Sequence, residues 1–258
     1  MSLLRVLEMW LGGLPCNDRG SKATSDQDDD PLLHRWKVTP KEAITIQKDL
    51  ALRVRMQPLP VHFEVLAAAD LAYLHSSRQV IAVILTFQWP SLHLLESVHV
   101  VEPIQFPYVP GLLSFREIPP LLTAYQKLNR PADVFLCDGQ GLAHPRRVGL
   151  ASHLGLCLQV STVGCAKKRL CGEYSPLELR RGCRTPLVHN HERVGDVVCT
   201  RDGVKPVFVS PGHLSDFDSS CDLIIKCLRR YRLPEPLRLA HQTATRLRRQ
   251  MVANRSTS

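Results

Sequence analysis

Four consecutive apolar residues, Val134 to Cys137, run straight into Asp138 and the glycines Gly139 and Gly141. A strand with no polar face has nothing to offer water, so it must be covered on both sides, as strands of a parallel arrangement between helices are. A carboxylate at the end of such a strand is costly to desolvate unless a cation or hydrogen-bond donors meet it there. This run predicts an α/β domain with a mixed central sheet flanked by helices, and polar chemistry where the sheet ends.

The surrounding pattern agrees. Thr39 followed by Pro40 and apolar residues at helical spacing predicts a capped amphipathic helix to about Val54. The runs "FEVLAAADLAYL", "QVIAVILTFQ" and "HLLESVHVV", separated by "HSSR" and "WPS", predict an antiparallel meander. A Pro-rich loop then leads to a helix from about Glu117 to Leu128. Beyond "VFLCD", the sequence predicts a helix over 146–159, a short strand in "VSTVGCAKK", a hairpin turning at Asp202-Gly203, and a helix from about Ser215 to Tyr231. Residues 17–31 lack apolar content and are rich in aspartate. They place residues 1–37 in a disordered extension, 38–238 in the catalytic domain, and 239–258 in a basic amphipathic tail.

Composition narrows the function. Among 258 residues, no stretch approaches the roughly 18 uncharged apolar residues that a membrane span requires, and "MSLLRVLEMWLGG" is a poor secretory signal. Nine cysteines, an odd number with no C-x-x-C pair, sit mostly in apolar runs. They read as reduced core thiols of a cytoplasmic protein and argue against structural zinc. A net charge of +9 favours a polyanionic partner, because clustered Lys and Arg gain affinity by displacing counterions from phosphates.

Several clusters could carry chemistry. Asp70 and Asp138 punctuate the two most apolar strands and could hold Mg²⁺ through hard oxygen ligands, or could pair with an arginine or cap a turn. Gly139 and Gly141 leave room for a flat ligand or another backbone, and His144, Arg146 and Arg147 follow with groups suited to phosphate. Lys167 closes a strand and could face a scissile phosphate, or belong to a solvated cluster. His213 at a strand end is a candidate ligand or acid/base, or a histidine hydrogen-bonded in a turn. Tyr108, between two prolines in "PYVPG", could wedge between bases or pack over the sheet edge, and Gly111 closes its loop. Glu117 adds a third carboxylate if that loop folds back.

Taken in order, "AADLAY" around Asp70, "PYVPGLLSFRE", "DGQGLAHPRRVGLASHLG", "VGCAKKRLCG", "GH" and "YRLPEP" make the chain resemble the bacterial-type endonuclease V family over roughly residues 40–238. The resemblance implies a ribonuclease H-like sheet. It also implies Mg²⁺-dependent hydrolysis, with Mn²⁺ able to substitute, of DNA containing deaminated bases, notably deoxyinosine. The cut falls at the second phosphodiester bond on the 3′ side of the lesion and leaves 3′-hydroxyl and 5′-phosphate ends. By motif position, Asp70, Glu117 and Asp138 would hold metal, His213 would lie near a second metal position, and Lys167 near the scissile phosphate. Tyr108 would be the wedge, while Gly111, Gly139, Gly141 and His144 would line the pocket for the displaced base. Such a protein would act as a monomer, with no membrane partner. The rival readings are an inosine-specific ribonuclease acting on single-stranded RNA and a catalytically impaired nucleic-acid binder on the same fold.

Overall fold

The computed structural model describes residues 33–256. The expected extension over 1–37 therefore lies mostly outside the described residues. Its last few residues pack on the domain: Trp36 stacks on His153 at 5.4 Å between ring centroids, and His34 Nε2 lies 2.7 Å from His153 Nε2.

Helix α1 (Pro40–Ala51) starts as its sequence dictates. Thr39 is the N-cap, its hydroxyl accepting from the Glu42 N–H while the Glu42 carboxylate accepts from the Thr39 N–H, and Pro40 occupies the first turn. Strands β1 (Val65–Leu74), β2 (Gln79–Gln88) and β3 (His93–Pro103) form the antiparallel meander. β4 (Val134–Cys137) and β5 (Ser161–Ala166) run parallel to β1, and β6 (Arg184–His189), β7 (Glu192–Val198) and β8 (Val207–Pro211) complete one eight-stranded sheet in the order β3-β2-β1-β4-β5-β8-β7-β6.

Helices cover both faces, which is why β4 needs no polar side. α2 (Leu113–Tyr125) and α3 (Leu150–Leu158) pack Ile118, Leu121 and Leu154 on Ala67, Ala69 and Phe135. On the other face, α4 (Phe217–Lys226) and α5 (Glu235–Ser256) pack Ile224, Leu237, Ala240 and Ala244 on Leu66, Ala68 and Leu136. Among the described residues, no helix is long and apolar enough to cross a membrane.

Three local expectations are corrected and one strand is added. α2 begins at Leu113 rather than near Glu117, because burying Ser114 and Phe115 outweighs the two N–H groups that Pro119 and Pro120 cannot supply inside the helix. α3 begins at Leu150 rather than 146, because Arg147 takes φ +62° and Gly149 is extended. Strand β6 is an addition to the expected elements; it joins β7 through Asn190 and His191, both at positive φ, a two-residue turn matched to strand twist. Finally, the boundary at 238 falls inside α5. Ala240 and Ala244 are fully buried in the core, so residues 239–256 belong to a helix of the domain rather than to a tail.

Candidate active site

Parallel pairing of β1 and β4 sets Ala69 beside Cys137, so the residues that follow, Asp70 and Asp138, stand level where β4 ends. Strand alternation then sorts the β1 side chains. Asp70 shares the face of Ala68 and Ala72, toward α5, whereas Tyr73 shares the face of Ala69 and Leu71, toward α2. Glu117, one turn into α2, reaches over the sheet end from that second face. Asp70, Glu117 and Asp138 line one small cavity of about 60 Å³, walled by Leu113, Leu121 and Leu150.

Each carboxylate has its own partner. Tyr73 Oη donates to Glu117 Oε1 at 2.8 Å, His241 Nδ1 lies 2.8 Å from Asp70 Oδ2, and Lys167 Nζ donates to Asp138 Oδ2 at 2.5 Å. Arg232 in turn holds the Lys167 backbone, donating to its carbonyl at 2.9 Å. Burial pushes the Glu117 carboxyl up to about 7, with the charges of Asp70 and Asp138 adding to it and the Tyr73 hydrogen bond opposing it. Asp70 is raised by burial and by Asp138, against His241. Three carboxylates sharing a poorly solvated cavity repel one another, and a cation relieves that repulsion. The donor set therefore fits a hard divalent cation such as Mg²⁺. Among the described residues, no three His, Cys, Asp or Glu side chains are already arranged as a ligand cage.

The loop from Phe106 to Gly111 projects beside this cavity, with Tyr108 72% exposed at its tip. Its two ends are anchored. Arg116 donates to the Phe106 carbonyl at 2.8 Å while its guanidinium lies 4.7 Å over the Tyr73 ring. The Gly111 carbonyl accepts from Gln47 Nε2 at 3.0 Å, His144 Nε2 at 2.9 Å and Arg146 Nη2 at 2.8 Å. Arg146 Nε also donates to Gln47 Oε1 at 2.6 Å, closing the knot. Gly111 sits at φ +77°, a conformation that a side chain would strain.

The endonuclease V family profile matches residues 48–242 of the chain, more than half of its length. The chain is similar to an endonuclease V from Methanothrix thermoacetophila, 47% identical over 81% of this chain and 92% of that relative. The chain belongs to the endonuclease V family. Its fold is similar to the crystal structure of a Streptomyces avermitilis endonuclease V, with a TM-score of 0.80 and 37% identity over 84% of this chain and 96% of that one. It is also similar in fold to a Ciona intestinalis endonuclease V in complex with a 23mer DNA containing an inosine followed by a ribo-adenosine, with a TM-score of 0.73 and 22% identity over 83% of this chain and 100% of that one. As the resemblance implied, the mixed sheet and its covering helices form a ribonuclease H-like fold.

Within this endonuclease V architecture, Asp70, Glu117, Asp138 and Lys167 come together, and His213 does not. The His213 carbonyl accepts from Thr162 N–H at 2.9 Å, and Thr162 pairs with Phe135, three residues before Asp138. His213 thus lies toward the opposite end of β4. Its Nδ1 accepts from Arg55 N–H at 3.2 Å, and burial, then the Arg55 charge, lowers its pKa to about 4, so it is a neutral buried imidazole. The imidazole beside the carboxylates is instead His241, on the helix whose basic sequence suggests a tail. Its signal is present in the chain: Leu237, Ala240 and Ala244 mark a buried stripe at helical spacing, and His241 lies at its margin.

The pocket residues also take more structural parts than their motif implies. His144 is buried, with Nε2 on Gly111 and Nδ1 accepting from Arg146 N–H at 3.1 Å, so it anchors the Tyr108 loop. Burial, helped by the Arg146 charge, lowers its pKa to about 4. A Cβ on Gly141 would lie 1.9 Å from the Pro211 carbonyl, so this glycine lets the turn pack on β8. Gly139 faces Leu150 of the cavity wall, the nearest atom to a Cβ there being 3.2 Å away. Arg147 pairs with Glu192 at 2.8 Å and is not free for phosphate. Gln47, Tyr73, Arg116 and Arg232 act through other residues rather than as charges at strand ends; Tyr73, Arg116 and Arg232 lie inside the motifs of the resemblance, but nothing in those motifs gives them these roles.

Proposed function

We propose that the protein is a DNA repair endonuclease of the cytoplasm that recognises deoxyinosine and hydrolyses the second phosphodiester bond 3′ to it, leaving 3′-hydroxyl and 5′-phosphate ends. The observation that carries this reading is the meeting of three carboxylates, from β1, α2 and the end of β4, in one cavity beside an exposed tyrosine on a doubly anchored loop. The inosine-containing DNA bound by the Ciona intestinalis relative supports the substrate class.

Asp70, Glu117 and Asp138 would hold Mg²⁺, or Mn²⁺ in its place, and the bound ion supplies Lewis-acid polarisation of the phosphodiester and favours ionised water. The residues of the chain do the rest. Lys167, held by Asp138 and by Arg232 at its backbone, presents a positive charge to the scissile phosphate as negative charge grows on it. Tyr73 fixes the Glu117 carboxylate, and His241 fixes that of Asp70. Tyr108 fills the space left in the stack when the weakly paired lesion leaves it, and the anchored Phe106–Gly111 loop keeps that ring from yielding. His144, Gly139 and Gly141 shape the adjoining wall.

The test uses a labelled deoxyinosine strand with Mg²⁺, beside a matched inosine-containing RNA, for the full chain and for Asp138→Ala. A metal-dependent nick in DNA that disappears in the variant is expected. A nick surviving Asp138→Ala overturns the ligand assignment, and a nick confined to RNA overturns the substrate.

A further inference from the structure

α5 does more than close the core. Its buried stripe of Leu237, Ala240 and Ala244 continues through Leu247 and Met251, which pack on the same cluster and hold the C-terminal half of the helix on the domain. The outward side carries two adjacent rows at four-residue spacing: His241, Thr245 and Arg249, and Gln242, Arg246 and Gln250. These six residues line an open groove of about 450 Å³. One end of the groove is His241, whose ring bonds Asp70 of the carboxylate cluster.

Charge gives the groove its partner. Arg246 and Arg249 are exposed, as is their neighbour Arg248, and none of the three has a carboxylate partner among the described residues. Unpaired guanidinium groups beside Gln and Thr donors form a surface for phosphate oxygens. The family profile stops at residue 242, one past His241, so most of this groove lies beyond what the family match covers.

We infer that the groove along α5 is a strand-tracking subsite, in which Arg246 and Arg249 bind backbone phosphates of the nucleic acid as it leaves the carboxylate cluster. The inference rests on the nuclease reading. α5 and α2 lie on opposite faces of the sheet, so the groove is across the carboxylates from the Tyr108 loop that precedes α2. With the lesion at Tyr108 and the cut on its 3′ side, the strand in the groove is the one 3′ to the scissile bond. From His241 to Gln250 the helix rises about 14 Å, the length of about four nucleotides at duplex rise.

Fluorescence anisotropy of the full chain with single-stranded deoxyinosine DNA in EDTA, over a series of salt concentrations, reads binding without cleavage. Two substrates are compared, one ending just past the scissile bond and one extended on the 3′ side. Arg246→Gln with Arg249→Gln should reduce the slope of log affinity against log salt by about 1.4 on the extended substrate, about 0.7 for each phosphate no longer neutralised. The truncated substrate should bind the variant and the parent protein with the same slope. An unchanged slope on the extended substrate overturns the subsite, as does an equal reduction on both. Failure of the nuclease reading shows separately, as the absence of any Mg²⁺-dependent nick by the unaltered protein.

Discussion

Tyr73 carries a role that its position in β1 explains. Three residues beyond Asp70, it faces the opposite side of the sheet, so one strand supplies a carboxylate to the cavity and a donor to the carboxylate arriving from α2. Its hydroxyl, together with the Arg116 charge, opposes the rise of the buried Glu117 carboxyl. Tyr73→Phe leaves Glu117 Oε1 without that donor. It should lower stability by about 1–3 kcal/mol in urea unfolding and weaken Mg²⁺ binding in calorimetric titration. An unaltered Mg²⁺ affinity would show that Glu117 does not depend on Tyr73 for its placement. The two histidines that could be confused from sequence separate in the same way. His241→Ala, which releases Asp70, should lower kcat/KM on deoxyinosine DNA by about 10–100-fold, as removal of a group orienting a ligand does. His213→Ala, distant from the carboxylates, should act on stability, and a larger fall in cleavage from it than from His241→Ala would reverse the assignment.

At the scale of elements, the turn after β4 is built by close approach of backbones. Gly141 lies so near the Pro211 carbonyl that a methyl group cannot enter without parting the turn from β8. Gly141→Ala should therefore cost about 3 kcal/mol or more and lower the thermal midpoint markedly; a variant as stable as the parent would mean that the turn can move away. The physics of each element also decides what its sequence discloses. The meander and β4 are legible because their burial patterns are local: β1 and β2 are nearly all apolar, and β4 is wholly so. The start of α2 is not, because Ser114 and Phe115 are drawn into the helix by packing with Phe106, Trp36 and His153, partners distant in sequence. β6 escapes because it is an edge strand, mostly polar and interrupted by Pro186, and only its partner β7 makes it a strand. Asp70, Glu117, Asp138 and Lys167 are legible as charges at the ends of apolar runs or in a family motif. His241 is marked only by its place beside the Leu237, Ala240 and Ala244 stripe, a weak signal because the rest of its helix is basic and reads as a solvated tail.

For the molecule as a whole, acid should act chiefly through its buried imidazoles. His144 and His213 are lowered from 6.5 to about 4 and His153 well below 6.5, each chiefly by burial. A histidine whose folded pKa lies below its unfolded one takes up its proton only in the unfolded chain across the interval between them. Stability is thus intact above about 6.5 and falls as pH drops toward 4. Glu117 and Asp70, raised in the fold, act in the opposite sense, because the folded protein takes up their protons first. A variant isolates one histidine from this balance. His144→Gln keeps an amide able to donate to the Gly111 carbonyl but removes the titrating ring. Between about pH 7 and pH 5, the unfolding free energy of the parent protein should fall by about 2 kcal/mol more than that of the variant, since each pH unit of unmatched protonation is worth about 1.4 kcal/mol. Urea titrations at the two pH values measure it, and parallel falls in the two proteins would place the acid sensitivity elsewhere than in the His144 anchor of the Tyr108 loop.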